Sequence, residues 1–291
     1  MKKLVVFIIF IIFSMRTSAQ IEDRFQSLLE TDLKEFAKPL ATSIGVGFNS
    51  GTYHNAHVPK IFGFSVGVRG MLMLIPSNQL TFTPKGLPEN YTADKETATI
   101  FGGKGTAYAG PAGYITYPAG IDKNYLPLAA PQASVSMFGT ELMVRFVPEI
   151  QVGNETLNLF GFGIKHNISQ YIPLLPLDIA IQYTNNKFTV SNMVEVKTSA
   201  FNIHASKSLG LATVYGGIQY ENSELNLEYT YKDENGTAPD LDGKKFELNF
   251  DKESNIRFTA GAAVNLAFLI INADYSLGIQ NSVSVGISLE F

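Results

Sequence analysis

The chemistry-bearing residues of this 291-residue chain are charges set into strands of small and apolar residues: Glu141, Arg145, Lys165, Asp178, His204, Arg257, Asp274 and Glu290. In 141–146, Glu141, Met143 and Arg145 alternate with Leu142, Val144 and Phe146. In 177–184, Asp178, Ala180, Gln182 and Thr184 alternate with Leu177, Ile179, Ile181 and Tyr183. Successive side chains of a strand point to opposite faces, so all eight charges are predicted to share one interior surface. Both signs are present, and an unpaired charge in a low-dielectric interior costs several kcal/mol, so pairing is expected. Such a set either fills and rigidifies a lumen or lines a small polar pore.

Other constellations are weaker. His204 and Ser206 stand two apart on one strand face, the spacing of a base and a nucleophile. Phe201, Ile203 and Ala205 take the lipid-facing side, which leaves His204 and Ser206 pointing inward into a hydrogen-bond network, and no catalytic residues are expected. His54 and His57 are three apart with no third ligand in view, so no metal is assigned. The acids Asp233, Glu234, Asp240 and Asp242 miss the terminal Glu of a calcium loop. Gly103-Lys104-Gly105 lacks the Ser or Thr and the upstream Gly of a phosphate loop. No cofactor is expected.

The elements that must hold these charges follow from composition. Only 16% of residues are charged and 45% are apolar, with 21 Phe and 13 Tyr. That aromatic content excludes disorder. Beyond the first 13 positions no run reaches the ~18 apolar residues of a helical membrane span. There is no Cys, hence no disulfide or thiolate site. Lys2 and Lys3, the apolar stretch Leu4–Phe13 and the small residues Thr17-Ser18-Ala19 form a secretory signal peptide, 1–19, cut after Ala19. Its removal takes Lys2, Lys3 and Arg16, leaving 19 basic against 26 acidic residues and a net charge of about −7, which argues against nucleic acid.

From 21 to 38 the apolar period is helical: Phe25, Leu28, Leu29, Leu33 and Phe36 form one stripe, and Pro39 is expected to end the helix. The segment 20–42 is thus read as a short amphipathic helix, packed on the periplasmic mouth or inserted as a lumen plug. From 43 to 291 the period is two. The clearest case is the C-terminal one, where Val283, Val285, Ile287, Leu289 and Phe291 alternate with Ser282, Ser284, Gly286, Ser288 and Glu290. The polar face is Gly, Ser, Thr, Asn and Ala rather than Lys and Glu, which fits a crowded lumen better than a water-exposed surface. The predicted fold is therefore all-β: a closed antiparallel transmembrane barrel. Ten strands are read near 44–52, 62–74, 135–147, 156–166, 176–185, 198–208, 211–221, 255–266, 269–278 and 282–291. Candidates at 79–84, 98–102, 223–231 and 244–250 raise the count to 12 to 14. A long Gly-, Pro- and Tyr-rich loop is placed at 76–133.

Several stretches resemble uncharacterised outer-membrane barrels of Bacteroidota-type bacteria: Gly45-Val-Gly-Phe-Asn-Ser-Gly51 with Tyr53-His54, Val144–Glu149, Phe160–His166, Ile172–Ala180 and Ala205–Ser208. Those barrels distantly resemble long-chain fatty-acid transporters. The resemblance implies a barrel with a short N-terminal helix in the bacterial outer membrane. The final strand ending on Phe291 resembles the insertion signal by which such barrels engage the barrel assembly machinery, with outer-membrane lipid as the surrounding partner. The functional expectation is passive transport of a small apolar or amphipathic solute; the alternative is a structural or partner-binding barrel with a filled lumen.

Overall fold

The computed structural model describes residues 30–111, 113–152, 155–191, 193–230 and 245–291. The expected signal peptide, the expected helix positions Phe25, Leu28 and Leu29, and the acidic stretch 233–242 lie outside the described residues.

Ten antiparallel strands close into a barrel: β1 (Gly63–Leu74), β6 (Tyr125–Met137), β7 (Thr140–Val152), β8 (Glu155–Asn167), β9 (Asp178–Val190), β10 (Val194–Leu209), β11 (Ala212–Thr230), β12 (Lys245–Leu266), β13 (Leu269–Leu277) and β14 (Asn281–Glu290). Neighbours in sequence pair with one another, and β14 closes onto β1 from Ser65↔Glu290 to Leu74↔Asn281. The alternation is expressed inside out. On β14, Val285 and Ile287 are 53% and 58% exposed while Ser282 and Ser284 are fully buried. Apolar residues facing outward over small polar residues facing inward are the signature of a barrel whose outer wall meets lipid.

One end, here the near end, carries the turns Phe138–Gly139, Gly210–Leu211 and Ala267–Phe268 together with Phe291. Phe138 and Gly139 both adopt positive φ, 53° and 73°, the geometry of a two-residue hairpin that follows strand twist. The far end carries the insertion 75–124. Among the described side chains, the exposed aromatic and aliphatic ones stop at Tyr220 on β11 and start at Ile256 on β12, so the far parts of these 19- and 22-residue strands project beyond the apolar belt.

The expected 12 to 14 strands become ten among the described residues because the described parts of the candidates 223–231 and 244–250, namely 223–230 and 245–250, are the far continuations of β11 and β12 rather than separate strands. Thr81–Phe82 (β2) and Thr97–Ala98 (β3) pair with each other outside the barrel, as do Ala107–Gly110 (β4) and Gly113–Thr116 (β5). The loop is also shorter than 76–133, since 125–133 belongs to β6 despite Pro127 and Pro131. β6 keeps an uninterrupted register with β1 from Gly63↔Ser136 to Leu74↔Tyr125, so the missing N–H groups fall on the opposite edge, towards β7. That edge pairs only from Gln132↔Arg145 to Met137↔Thr140. Beyond it the two strands part, and β7 carries a bulge with Pro148 at the corresponding height.

A further correction concerns the N-terminal helix and the start of the barrel. Helix α1 spans Glu30–Phe48, runs through Pro39, and takes in residues 43–48 that alternation assigns to a first strand; the first barrel strand starts at Gly63. Two hydroxyls help carry the helix past the proline: Thr42 Oγ1 donates to Lys38 O at 3.1 Å and Ser43 Oγ donates to Pro39 O at 2.7 Å. Residues 41–50 are buried without a break, because the barrel surrounds the helix on all sides. Close approach explains its glycines. A Cβ at Gly45 would overlap the Ser223 side chain, and one at Gly47 would lie 2.5 Å from Leu128 Cδ1. Glycine costs a helix roughly 0.5–1 kcal/mol against Ala, and here that cost is offset by contact with the wall.

Candidate functional site

The segment from Glu30 to Phe62 passes through the barrel from the far end to the near end. At the far end α1 packs Leu33 and Phe36, two residues of the expected stripe, into an apolar cluster with Phe82, Ile100 and Phe101 of the insertion and Leu225, Leu227 and Leu248 of the wall. Asp32, fully buried, accepts from the backbone N–H of Lys85 at 2.7 Å and Gly86 at 3.0 Å, and from the Tyr117 hydroxyl. Burial, and then Asp32, push the Tyr117 phenol well above its ordinary value. Lys85 Nζ meets Glu35 at 2.8 Å on the surface, and this bond raises the lysine's pKa.

At its other end the helix must satisfy carbonyls that have no partner within the helix, and it has no basic residue in its own last turn. The barrel supplies them. Arg145, on β7, donates from Nη1 to Phe48 O at 2.9 Å and from Nη2 to Ser50 O and Gly51 O at 3.0 and 2.7 Å; Nε meets Gln132 Oε1 at 3.0 Å. Asn186 adds a second bond to Phe48 O at 3.1 Å. Arg257, on β12, reaches Val46 O at 3.3 Å and grips Glu221 of β11 at 2.8 and 3.1 Å. Arg69, on β1, donates to His54 Nδ1 at 2.9 Å and to Asn272 Oδ1. All three guanidiniums are at most 2% exposed. Two of them address the negative end of the helix dipole, where positive charge is favoured. Arg145 meets backbone carbonyls and an amide, so the helix end compensates its charge in place of a carboxylate.

The linker after the helix is tied to the wall residue by residue. His54 Nδ1 accepts from Arg69, which assigns its proton to Nε2, 2.8 Å from Glu290 Oε1. His57 Nδ1 lies 3.4 Å from Asp178 Oδ2. His204 meets Asn202 Oδ1 at 2.7 Å and Asn55 O at 3.2 Å and stacks on the Tyr53 ring at 4.0 Å, while Ser206 Oγ accepts from Ala56 N at 2.9 Å. The histidine and serine with nucleophile-like spacing thus both bind the linker.

The eight inward charges separate by depth. Arg145, His204, Arg257 and Asp274 sit in mid-lumen, where Asp274 Oδ2 accepts from Tyr215 OH at 3.0 Å. Glu141, Lys165, Asp178 and Glu290 line a cavity of about 510 Å³ open at the near mouth, with Lys165 and Glu141 paired at 3.1 Å. Arg69 and Glu221 complete the network and escape the sequence reading. Arg69 shares the parity of Gly67, Met71 and Met73 against Val66 and Val68, and Glu221 continues that of Tyr215 and Gln219; extending the alternation through β1 and past residue 220 would have found both. Phe291 exchanges two backbone bonds of 2.9 Å with Phe64, and its ring stacks on Phe268 at 5.9 Å.

Among solved structures, the chain is similar to an outer-membrane protein of Vibrio cholerae, OmpT, at 13% identity over 84% of this chain and 83% of that one, with a TM-score of 0.27. It is similar to the attachment invasion locus protein Ail of Yersinia pestis at 9% identity, over 80% of this chain and 100% of that one, with a TM-score of 0.28. It is similar also to the toluene transporter TbuX of Ralstonia pickettii at 9% identity, over 81% and 91% of the two chains, with a TM-score of 0.28. No curated protein matches the chain. With a closed barrel, an apolar outer wall and a match that covers residues 1–291, the chain belongs to the family of unknown function DUF6588.

Proposed function

We propose that this protein is an outer-membrane barrel held shut by its own N-terminal segment, and that it works as a partner-binding or structural barrel rather than as an open pore. One observation carries the reading: residues 30–62 fill the lumen from end to end, and buried arginines of β7 and β12 bind the carbonyls of the helix end. The short turns and Phe291 face the periplasm, following the general pattern of short periplasmic and long external connections. The insertion 75–124 and the start of α1 then form a structured cap on the outside, where a partner protein or surface ligand would dock. The C-terminal strand with Phe291 is the handle for the barrel assembly machinery, and lipid covers the belt.

Passive transport of a small apolar or amphipathic solute is the second reading. It draws on the parting of β6 and β7 beyond Gln132 and Arg145, next to an apolar stretch of lumen with Leu126 and Val147. It requires the segment to move. Liposome swelling with the intact protein distinguishes the two: the closed reading expects sugars and amino acids to be excluded, and swelling at porin-like rates would overturn it. Pull-down from native membranes is expected to recover a stoichiometric partner that is lost when the insertion is shortened.

A further inference from the structure

The lumen segment touches the wall closely at some points and leaves gaps at others. Contact is close at points on both sides: Gly47 has no room for a Cβ beside Leu128 and Met73, Phe48 packs on Phe188 with ring centroids 5.0 Å apart, and Gly45 has no room beside Ser223 of β11. Facing β11 and β12, a far groove and two small voids lie between the segment and the wall, in order towards the near-mouth cavity. A far groove of about 370 Å³ lies between Lys38 and Thr42 of the helix and Ser223 and Glu253 of the wall. Next is a void of about 10 Å³ that shares Thr42, Ser223 and Glu253 and adds Asn49, Glu221 and Asn255. Another void of about 10 Å³ shares Asn49 and reaches Thr52, Tyr53, Arg257 and Thr259. The series ends at the near-mouth cavity of about 510 Å³, which shares Thr52 and Tyr53 and is bordered by strands all round the barrel, β11 and β12 giving Thr213 and Asn265. Each step lowers the position on the segment and moves nearer the near end along both strands.

The polar atoms on this line are not all satisfied by protein. Asn49 Oδ1 and Thr52 Oγ1 are buried without a hydrogen-bond partner, on residues only 2% and 3% exposed. A buried polar group lacking a partner is costly, and native proteins usually meet it with ordered water. A void of about 10–15 Å³ accommodates one water molecule. We propose that the β11–β12 flank holds a file of ordered water joining the two mouths, and that the closed barrel conducts water along it while excluding solutes. The narrow voids are too small for a hydrated ion, and the Arg257–Glu221 pair beside them holds both charge signs in place. The inference rests on the closed-lumen reading.

The test is osmotic shrinkage of proteoliposomes followed by stopped-flow light scattering, with a sugar as the impermeant osmolyte. The intact protein is expected to raise water permeability above that of protein-free vesicles. Asn49→Leu, which replaces the amide lining both small voids with an apolar group, should remove most of that excess, and the near-isosteric Thr52→Val should remove part of it. Thr184→Val, buried on the opposite flank, should leave it unchanged. Heat-modifiable migration on gels confirms that each variant is folded, and Thr52→Val decides between the outcomes if Asn49→Leu does not fold. Wild-type vesicles that exclude sugar yet show no water permeability above lipid would overturn the water file alone. The same holds for an excess that survives both flank variants. Rapid sugar entry would overturn the closed-lumen reading and the file together.

Discussion

The two ends of the lumen segment are held by different physics. The far end of α1 is fixed by apolar area, with Leu33 and Phe36 between the wall and the insertion and Asp32 as one polar anchor. The near end and the linker that follows are fixed by directed bonds from Arg145, Arg257 and Arg69 on three separate strands. Apolar contact is non-directional and tolerates repacking, whereas a guanidinium bound to three carbonyls specifies one position. The near end therefore sets the register of the plug, and the far end seals it.

Breaking the arginine contact is expected to have the largest effect. Arg145→Met leaves the Ser50 and Gly51 carbonyls without that donor and removes the charge that complements the helix end, for a loss of about 1–3 kcal/mol per carbonyl left unpaired. Urea unfolding in detergent should report it as an earlier transition of the whole barrel. Phe36→Ala, at the far end, should cost about 3 kcal/mol by cavity formation but act locally. Limited proteolysis is expected to cut the insertion while the gel-shift signature of the closed barrel persists. If Phe36→Ala loosens the entire barrel as much as Arg145→Met, the division between the ends fails.

Much of the wall was legible in the sequence because lipid imposes a strict period of two, as on β13 and on β14 from Val283 onward, where the outward positions are apolar. The interior was legible only where that period could be phased. The stretch Ser43–Phe48 also reads as period two, with Ile44, Val46 and Phe48 alternating with Ser43, Gly45 and Gly47. It is helical because a helix enclosed on all sides needs no polar stripe and uses its small residues for close approach. The long strands β11 and β12 read as two strands each, since the alternation is interrupted near Ser223 and 250–253, where their register shifts. The prolines of β6 read as loop because nothing in one sequence says which strand edge goes unpaired.

A smaller effect is expected from overpacking. Gly47→Val must displace Leu128 or Met73 and should cost about 2 kcal/mol, lowering the melting temperature without opening the barrel. The smallest expected effect concerns the cap. Tyr117 has a folded pKa raised above its unfolded value, so its contribution is fully present below about pH 10, the ordinary tyrosine value, and is lost as pH rises through the folded pKa. Alkaline titration followed by tyrosine absorbance should show the cap loosening before the barrel unfolds. Tyr117→Phe should abolish that phase at a cost of about 1 kcal/mol.

The central claim is that residues 30–62 occupy the lumen. The chain has no cysteine, and Ser50 Oγ lies 3.2 Å from Ser282 Oγ on the inner face of β14. Pairing Ser50→Cys with Ser282→Cys in the exported full-length protein, and reading the crosslink by mass spectrometry after proteolysis, tests this directly. Lumen occupancy predicts a disulfide in the folded barrel and no thiol open to a membrane-impermeant reagent in intact cells. Two free thiols that the reagent labels readily would contradict it.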